Sequence, residues 1–271
     1  MKKQFFFLLL IVQAVFSFAQ PATVDTVSFY SKALQKNTKA VVIKPLAYPS
    51  KQSFPVLYLL HGYSGDYRNW ITKVPLIKDY ATTYNMIVVC PDGENSWYVN
   101  EPGSNKNQFE NFISTELVNY IDKNYATLTD KNHRAISGLS MGGHGALTLA
   151  TKHPQVFGAA GSMSGAVDML ALKSKYNTNL IAGDSSVTHF KWKNHSALEL
   201  MDSTRAKELT LIIDCGVEDI FIEHNRSLHQ KLLTQKIKHD YIERAGGHNW
   251  YYWENSLPYQ MLFFKRYFDR E

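Results

Sequence analysis

Short apolar runs recur along the chain, separated by segments in which apolar residues have a helical spacing. The runs are dense rather than alternating, which is typical of parallel strands that helices cover on both faces. They lie at residues 55–60, 86–90, 135–138, 156–162, 209–215 and 238–244. Ahead of them, apolar and polar residues alternate at 24–31 and 38–44, which predicts an antiparallel pair of strands at the start of the fold. The pattern predicts an α/β fold with a mostly parallel central sheet and helices on both faces.

Four longer segments predict helices between or after these strands. They span about residues 107–124, 141–152, 219–234 and 253–268. In the first segment, apolar residues recur at spacings of three and four and form one stripe, which favours a helix with one buried face. The members of that stripe are Phe109, Phe112, Ile113, Leu117 and Ile121.

Domain organisation is indicated by the lack of an internal repeat, a low-complexity tract or a Pro/Gly-rich linker. We therefore expect one domain over residues 20–271. Residues 165–207 fit the alternation least well, because they are polar and longer than a simple crossover needs. This segment is predicted to be a cap or a substrate-facing insertion, and a pair of ordinary helices is the alternative.

The N-terminal residues have the composition of a secretory signal peptide. Lys2 and Lys3 precede an apolar run at residues 5–12, and Ser17-Phe18-Ala19 fits a small-x-small cleavage site. We expect cleavage after Ala19 and export to a periplasm or out of the cell. The apolar run is too short to span a bilayer, which takes about 20 residues, so stable membrane insertion is not expected.

Charge and cysteine content narrow the possible partners. The formal net charge is +5 and no basic run occurs, so nucleic acid is not an expected partner. Cys90 and Cys215 end strands that are not expected to be neighbours, and we therefore predict two free, buried thiols. Neither cysteine has a spacing typical of zinc ligands, and no metal or cofactor is expected. The oligomeric state is left open.

The strongest candidate for chemistry is Gly138-Leu139-Ser140-Met141-Gly142, which follows a predicted strand and precedes a predicted helix. This context is typical of a nucleophile elbow, in which glycines leave room for a strained turn that exposes the serine hydroxyl. Ser140 is therefore the candidate nucleophile of an acyl-transfer reaction. An ordinary glycine-rich turn is the alternative interpretation.

A nucleophilic serine needs a histidine as base and an acid that orients it, and in α/β-hydrolases these follow in the order Ser, acid, His. His248 is the candidate base, because Gly246 and Gly247 precede it between the last strand and the last helix; a buried structural histidine is the alternative. For the acid we favour Asp219, in the loop after a core strand, over Asp214 and Glu218.

The oxyanion of a tetrahedral intermediate needs two preorganised N–H donors. Met141, directly after the serine, is expected to supply one, and Tyr63, in the loop after the 55–60 strand, is expected to supply the other. His61 precedes the serine in the chain and is expected to brace this loop rather than to act as the base.

Four motifs together resemble the esterase D-type family of α/β-hydrolases over nearly the whole chain after the signal. They are the runs that begin Leu59-Leu60-His61-Gly62, Gly138-Leu139-Ser140-Met141, Asp214-Cys215-Gly216 and Gly247-His248-Asn249. The resemblance implies that Ser140, Asp219 and His248 form the triad, with Tyr63 and Met141 as oxyanion donors. It also implies that residues 95–98 and 109–110 flank the pocket.

The family includes feruloyl and acetylxylan esterases of the carbohydrate esterase 1 type, tributyrin esterases, S-formylglutathione hydrolases, enterochelin esterases and mycolyltransferases. An export signal argues against the glutathione-linked role, and no apolar stretch indicates a long lipid groove. We expect a metal-independent serine esterase acting on acyl or feruloyl esters of carbohydrate or on small short-chain esters. An acyltransferase with the same triad is the alternative, and a noncatalytic carbohydrate-binding protein is the less favoured one.

Aromatic residues are candidates for stacking on a sugar or a feruloyl ring. Trp97 and Trp250 are the two predicted to bind substrate. Further candidates are Tyr98, Trp192, Tyr251 and Tyr252. Aromatic residues that fill the core are the alternative for all of them.

Overall fold

The computed structural model describes residues 22–48, 52–172, 175–176, 178 and 192–270. The predicted signal peptide at residues 1–19 and part of the 165–207 segment lie outside these residues. Within them the strands are β1 (Thr23–Ser31), β2 (Lys36–Lys44), β3 (Val56–Leu60), β4 (Ile87–Pro91), β5 (Arg134–Gly138), β6 (Ala159–Met163), β7 (Thr210–Gly216) and β8 (Asp240–Arg244). The α-helices are α1 (Asn69–Lys73), α2 (Ile77–Thr83), α3 (Phe109–Asn111), α4 (Val118–Asn124), α5 (Met141–Lys152), α6 (Ala197–Leu200), α7 (Ile222–Thr234) and α8 (Trp250–Phe268).

All eight of these strands belong to one sheet, in the order β1-β2-β4-β3-β5-β6-β7-β8. β1 pairs antiparallel with β2, and β2 pairs antiparallel with β4. From β4 to β8 every pairing is parallel. The mostly parallel sheet and the antiparallel opening pair are therefore confirmed. The carboxyl ends of the parallel strands lie at one edge, where α/β folds place their ligand sites.

Helices cover both faces of the sheet, as predicted. β3 shows how this works, because Leu57 and Leu59 face one core cluster and Val56, Tyr58 and Leu60 face the other. The first cluster is closed by α1, α2 and α8, and the second by α4, α5 and α7. A strand buried on both faces is apolar at every position, which explains the dense runs in the sequence.

The predicted helix at residues 107–124 differs from the structure in one detail. A π-helix, Phe112–Leu117, separates α3 from α4. In this π segment Glu116 accepts hydrogen bonds from the Ser31 hydroxyl and the Ala33 amide, which ties it to the end of β1. The stripe residues on both sides of the π segment remain buried, so their spacing did not reveal the wider turn.

The last two predicted helices begin at other residues than expected. α8 begins at Trp250, because the Asn249 side chain caps it by accepting a hydrogen bond from the Tyr252 amide at 3.1 Å. α7 begins at Ile222, because Asp219 accepts a hydrogen bond from the Phe221 amide at 2.8 Å and holds a turn ahead of the helix.

The two cysteines are free and buried, as predicted. β4 and β7, which carry them, are separated in the sheet by β3, β5 and β6. Burial raises the pKa of both thiols, so they remain protonated and unreactive. In the described part of the chain, no helix is long and apolar enough to cross a membrane.

His144 on α5 makes the stability of the fold depend on pH. Its ring is buried, it hydrogen-bonds the His195 carbonyl at 2.5 Å, and burial lowers its pKa to about 4. As the pH falls below 6.5, the ordinary pKa of histidine, the unfolded chain binds this proton and the folded chain does not. We expect this site alone to cost about 2 to 3 kcal/mol of unfolding free energy between pH 8 and pH 4.5.

Urea denaturation of wild type and His144→Gln at both pH values measures this cost, because the glutamine amide can donate to the same carbonyl and has no proton to gain. The variant should lose less stability on acidification than wild type. Equal losses in the two proteins would contradict the assignment.

Candidate active site

Ser140 lies at the turn between β5 and α5, at the carboxyl edge of the sheet. Its backbone has φ 55° and ψ −117°, a left-handed conformation that is strained for serine. The amide of Ser140 donates to the Met163 carbonyl at 2.9 Å, and its own carbonyl accepts from the Ala166 amide at 3.2 Å. These bonds to β6 and the segment after it hold the strained turn in place.

The glycines on either side of Ser140 are required by close backbone contacts. A Cβ atom at Gly142 would lie 2.6 Å from the His61 carbonyl oxygen and 2.7 Å from that of Leu60. A Cβ atom at Gly138 would lie 2.6 Å from the carbonyl carbon of Gly142. The first turn of α5 therefore packs against the end of β3, as the elbow interpretation requires.

We expect Gly142→Ala to destabilise the protein by about 3 kcal/mol, because backbone atoms that cannot rotate away must shift. It should also lower esterase activity in the folded fraction, since α5 carries Ser140. The measurements are the unfolding free energy and the rate of ester hydrolysis. Gly103→Ala is the control, because Gly103 has open space around it; unlike Gly142 it has positive φ, +72°, so any cost there comes from the backbone conformation and not from packing. Similar effects at the two glycines would contradict the packing argument.

His248 lies in the loop between β8 and α8 and contacts both other candidate residues. Its Nε2 atom lies 2.9 Å from the Ser140 Oγ atom, and its Nδ1 atom lies 3.0 Å from both carboxylate oxygens of Asp219. The rings of Phe221 and Trp253 flank the imidazole, nearly perpendicular to it, at centroid distances of 5.1 and 5.0 Å. No pattern in the sequence indicated these two flanking residues.

The three acid candidates have different environments. Asp219 contacts His248, and its side chain is fully buried. Asp214 is turned away into a buried network, where it accepts hydrogen bonds from Tyr252, Ser256 and Arg244 at 2.6, 2.8 and 2.5 Å. Burial raises the pKa of Asp214 in spite of these partners. Glu218 accepts a hydrogen bond from the Gly246 amide at 2.9 Å and so steadies the loop that carries His248.

The two candidate oxyanion donors come from different elements, Met141 from α5 and Tyr63 from the loop after β3. Met141 is the first residue of α5, and the amides of a first helical turn have no acceptor within the helix. Tyr63 follows β3 and lines the same cleft as Ser140. His61 braces this loop: its Nε2 atom accepts from the Gly93 amide at 2.8 Å, so its Nδ1–H donates to the Gly62 carbonyl at 2.7 Å.

A cleft of about 590 Å³ opens above Ser140 and His248. Both tryptophans predicted to bind substrate line it. Trp97 is 2% exposed and donates to the Tyr176 carbonyl at 3.4 Å, while Trp250 packs edge-on against Trp70 and Trp253. The complete lining is Gly62, Tyr63, Ser64, Gly65, Asn69, Lys73, Trp97, Leu139, Ser140, Tyr176, Ile220, Phe221, His248, Asn249, Trp250 and Trp253.

Three other aromatic candidates, Tyr98, Tyr251 and Tyr252, do not line this cleft. Tyr98 is buried and donates to the His61 carbonyl at 3.0 Å, so it supports the loop from below. Tyr252 is buried in the Asp214 network, and Tyr251 is 77% exposed outside the lining. The side chain of Trp192 lies outside the described residues. The expectation that these residues stack on substrate is thus wrong for the two buried tyrosines.

The family resemblance implies that residues 95–98 and 109–110 flank the pocket. In the structure the first segment reaches the cleft and the second does not line it. Asn95 accepts a hydrogen bond from the Ser64 amide at 2.7 Å, which joins it to the cleft wall. Glu110 instead pairs with Lys152 and His153 at 2.7 and 3.0 Å. Burial alone would raise the pKa of Glu110, but these two partners lower it to about 2. Glu110 is therefore an ionised structural residue outside the cleft.

Further lining residues that no sequence pattern indicated include Asn69, Lys73 and Tyr176. Tyr176 belongs to the polar 165–207 segment, so the described part of that segment does reach the cleft. Among the described residues, no group of three or more His, Cys, Asp or Glu side chains is placed to hold a metal ion.

The fold and this geometry define a class of protein. A serine in a strained strand-to-helix turn, an imidazole that bridges it to a buried carboxylate, and a mostly parallel sheet beneath them are the features of a serine hydrolase with the α/β-hydrolase fold.

Residues 31–264 match the family model Esterase, described as "Putative esterase", and the chain therefore belongs to the Esterase family. It is a carboxylic ester hydrolase. The chain is similar to the acetyl esterase of Caldicellulosiruptor saccharolyticus, with 29% identity over 85% of this chain and 94% of that protein. It is 28% identical to Esterase Rv1288 of Mycobacterium tuberculosis over 81% of this chain, but spans only 54% of that protein.

A solved structure of a ferulic acid esterase superposes with a TM-score of 0.78 and 28% identity, covering 91% of this chain and 98% of that one. The predicted fold and the predicted family resemblance are both confirmed.

Proposed function

We propose that this chain is an exported serine esterase that forms an acyl-enzyme on Ser140 and acts on acyl or feruloyl esters of carbohydrate or on small short-chain esters. The proposal rests above all on the continuous chain of contacts from the Asp219 carboxylate through His248 to the Ser140 hydroxyl. The likeness to an acetyl esterase and to a ferulic acid esterase supports the substrate class. Export rests on the sequence pattern of residues 1–19.

In the proposed mechanism His248 Nε2 takes the proton of Ser140 as Oγ attacks the ester carbonyl. Asp219 accepts the hydrogen bond from Nδ1–H and stabilises the imidazolium that forms. The tetrahedral oxyanion is bound by the amides of Met141 and Tyr63. His248 then protonates the departing alcohol, the acyl group stays on Ser140, and a water molecule activated by His248 releases the acid.

The aromatic residues that line the cleft support the binding of an aromatic or sugar ring next to the reacting ester. Tyr63, Trp97 and Tyr176 form one wall, with ring centroids 6.3 and 6.0 Å from Tyr63 to the other two. Trp250 and Trp253 form another wall. Aromatic rings in the lining suit a feruloyl group or a pyranose face, because such rings bind by stacking.

Hydrolysis of matched esters tests the proposal. The panel is p-nitrophenyl acetate, p-nitrophenyl butyrate, methyl ferulate and acetylated xylan, each with wild type and with Ser140→Ala as the blank. A preference for methyl ferulate or acetylated xylan would identify a polysaccharide deacylase, and a preference for the nitrophenyl esters a general short-chain esterase. If wild type matched Ser140→Ala on all four, the hydrolase assignment to this site would fail.

The same reactions with an added alcohol acceptor separate hydrolysis from acyl transfer, because water and an alcohol attack the same acyl-enzyme. We expect free acid as the main product with and without a sugar acceptor. A dominant acylated sugar would indicate a transferase. Absence of fluorophosphonate labelling at Ser140 would indicate a noncatalytic protein.

A further inference from the structure

One end of the cleft is polar, in contrast to its aromatic walls. Ser64, Gly65, Asn69 and Lys73 line it there, from the loop after β3 and from α1. Asn69 and Lys73 are four residues apart in α1, and residues at this spacing lie on the same face of a helix. Both side chains therefore reach the same part of the cleft.

Lys73 is the one side chain with a permanent charge among the described residues that line the cleft. It is exposed, and within the described part of the chain it forms no ion pair. The acidic residue just ahead of α1, Asp66, is already bound by Arg68 at 2.5 Å. The Asp219 carboxylate is buried beneath His248 and faces the imidazole. No described carboxylate therefore pairs with the Lys73 ammonium, and its positive charge is available to a ligand in the cleft.

Asn69 is held so that it offers a donor. Its Oδ1 atom accepts from the Asp66 amide at 3.3 Å. The same oxygen would lie 2.2 Å from a Cβ atom at position 65, so the glycine there makes room for the amide group. With the oxygen engaged, the NH2 group of Asn69 is the part that remains for a ligand. An ammonium, an amide NH2 and the Ser64 hydroxyl are all donors, which suits a carboxylate.

We propose that Ser64, Asn69 and Lys73 form a subsite for a carboxylate carried by the ester substrate, and that Lys73 determines a preference for anionic over neutral esters. This inference rests on the proposed function, since it concerns the same cleft. The carboxylate has two possible sources: an acyl group derived from a dicarboxylic acid, or an acidic alcohol moiety such as a uronic acid or an aromatic acid.

Two pairs of esters distinguish the sources. On the acyl side the pair is 4-nitrophenyl hydrogen adipate and 4-nitrophenyl hexanoate. On the alcohol side it is 4-acetoxybenzoate and its methyl ester. For each pair, kcat/KM is measured with wild type, Lys73→Gln, Lys73→Arg and the control Lys78→Gln, which removes an equal charge on α2 outside the lining.

In at least one pair, Lys73→Gln should lower the ratio of anionic to neutral kcat/KM about fivefold, as expected for a partly exposed ion pair. Lys73→Arg should retain the ratio of wild type, and Lys78→Gln should not change it. The wild-type ratio should also fall as salt is added, because salt screens exposed charges. The pair that responds identifies the source of the carboxylate.

An unchanged ratio in Lys73→Gln for both pairs would overturn the subsite, as would an equal drop in Lys78→Gln, which would indicate a net-charge effect. Failure of the proposed function gives a different result, namely no Ser140-dependent hydrolysis of the neutral esters. Equilibrium binding of all four esters to Ser140→Ala, with and without Lys73→Gln, tests the subsite even then. Weaker binding of the anionic ester alone in at least one pair supports it, and unchanged binding in both pairs overturns it.

Discussion

Ser140→Ala is expected to lower kcat/KM for p-nitrophenyl acetate by about 10⁴-fold or more, because the acyl-enzyme can no longer form. The substitution keeps the Cβ atom and removes only the hydroxyl, so the strained turn and the bonds of its backbone to Met163 and Ala166 remain. We therefore expect the unfolding free energy to change by less than about 1 kcal/mol. Hydrolysis kinetics and chemical denaturation of the same preparations measure the two effects.

Covalent labelling gives an independent measure of the same role. A fluorophosphonate should add one adduct to wild type at Ser140 and none to Ser140→Ala. The matched control is Ser64→Ala, because Ser64 is the other serine among the described residues that line the cleft. Labelling at Ser140 should persist in this control. An adduct on Ser140→Ala, or hydrolysis within tenfold of wild type, would place the nucleophile elsewhere.

Much of this fold can be predicted from the sequence, because its strands and turns depend on residues that are close together in the chain. A strand buried on both faces has to be apolar throughout, so β3, β4 and β7 stand out as dense runs. The turn at Ser140 needs glycine at 138 and 142, because backbone atoms lie within 3 Å of where their Cβ atoms would be. Gly216 ends the strand and therefore favours Asp219 over Asp214 as the acid, and the structure does bring Asp219 to His248.

Other features depend on contacts between distant residues and left no local signal. Tyr98 and Trp97 are neighbours of the same chemical type, yet Tyr98 packs beneath the loop after β3 and Trp97 lines the cleft. Phe221 lies just ahead of α7 and Trp253 lies in the first turn of α8, and the two meet only around His248. In the sequence nothing distinguishes Lys73 from the other lysines. Its place in the cleft follows from the fold, which brings α1 beside Ser140.

The second large effect is expected at Asp219, where Asp219→Asn should lower kcat by about 10⁴-fold. The carboxylate accepts a hydrogen bond from His248 Nδ1–H, which leaves Nε2 without a proton and able to accept one from Ser140. An asparagine amide can instead donate to Nδ1, and the proton then lies on Nε2, where it blocks the base. Single-turnover and steady-state rates with p-nitrophenyl acetate measure the loss.

Asp214→Asn is the matched control, since it makes the same chemical change five residues earlier. Asp214 is fully buried and bound by Arg244, and removing one partner of a buried ion pair leaves the other uncompensated. This variant should lose about 3 kcal/mol of stability, and its folded fraction should keep kcat within tenfold of wild type. Loss of activity at Asp214 without loss of stability, together with near-normal kcat in Asp219→Asn, would mean that the two carboxylates have the opposite roles.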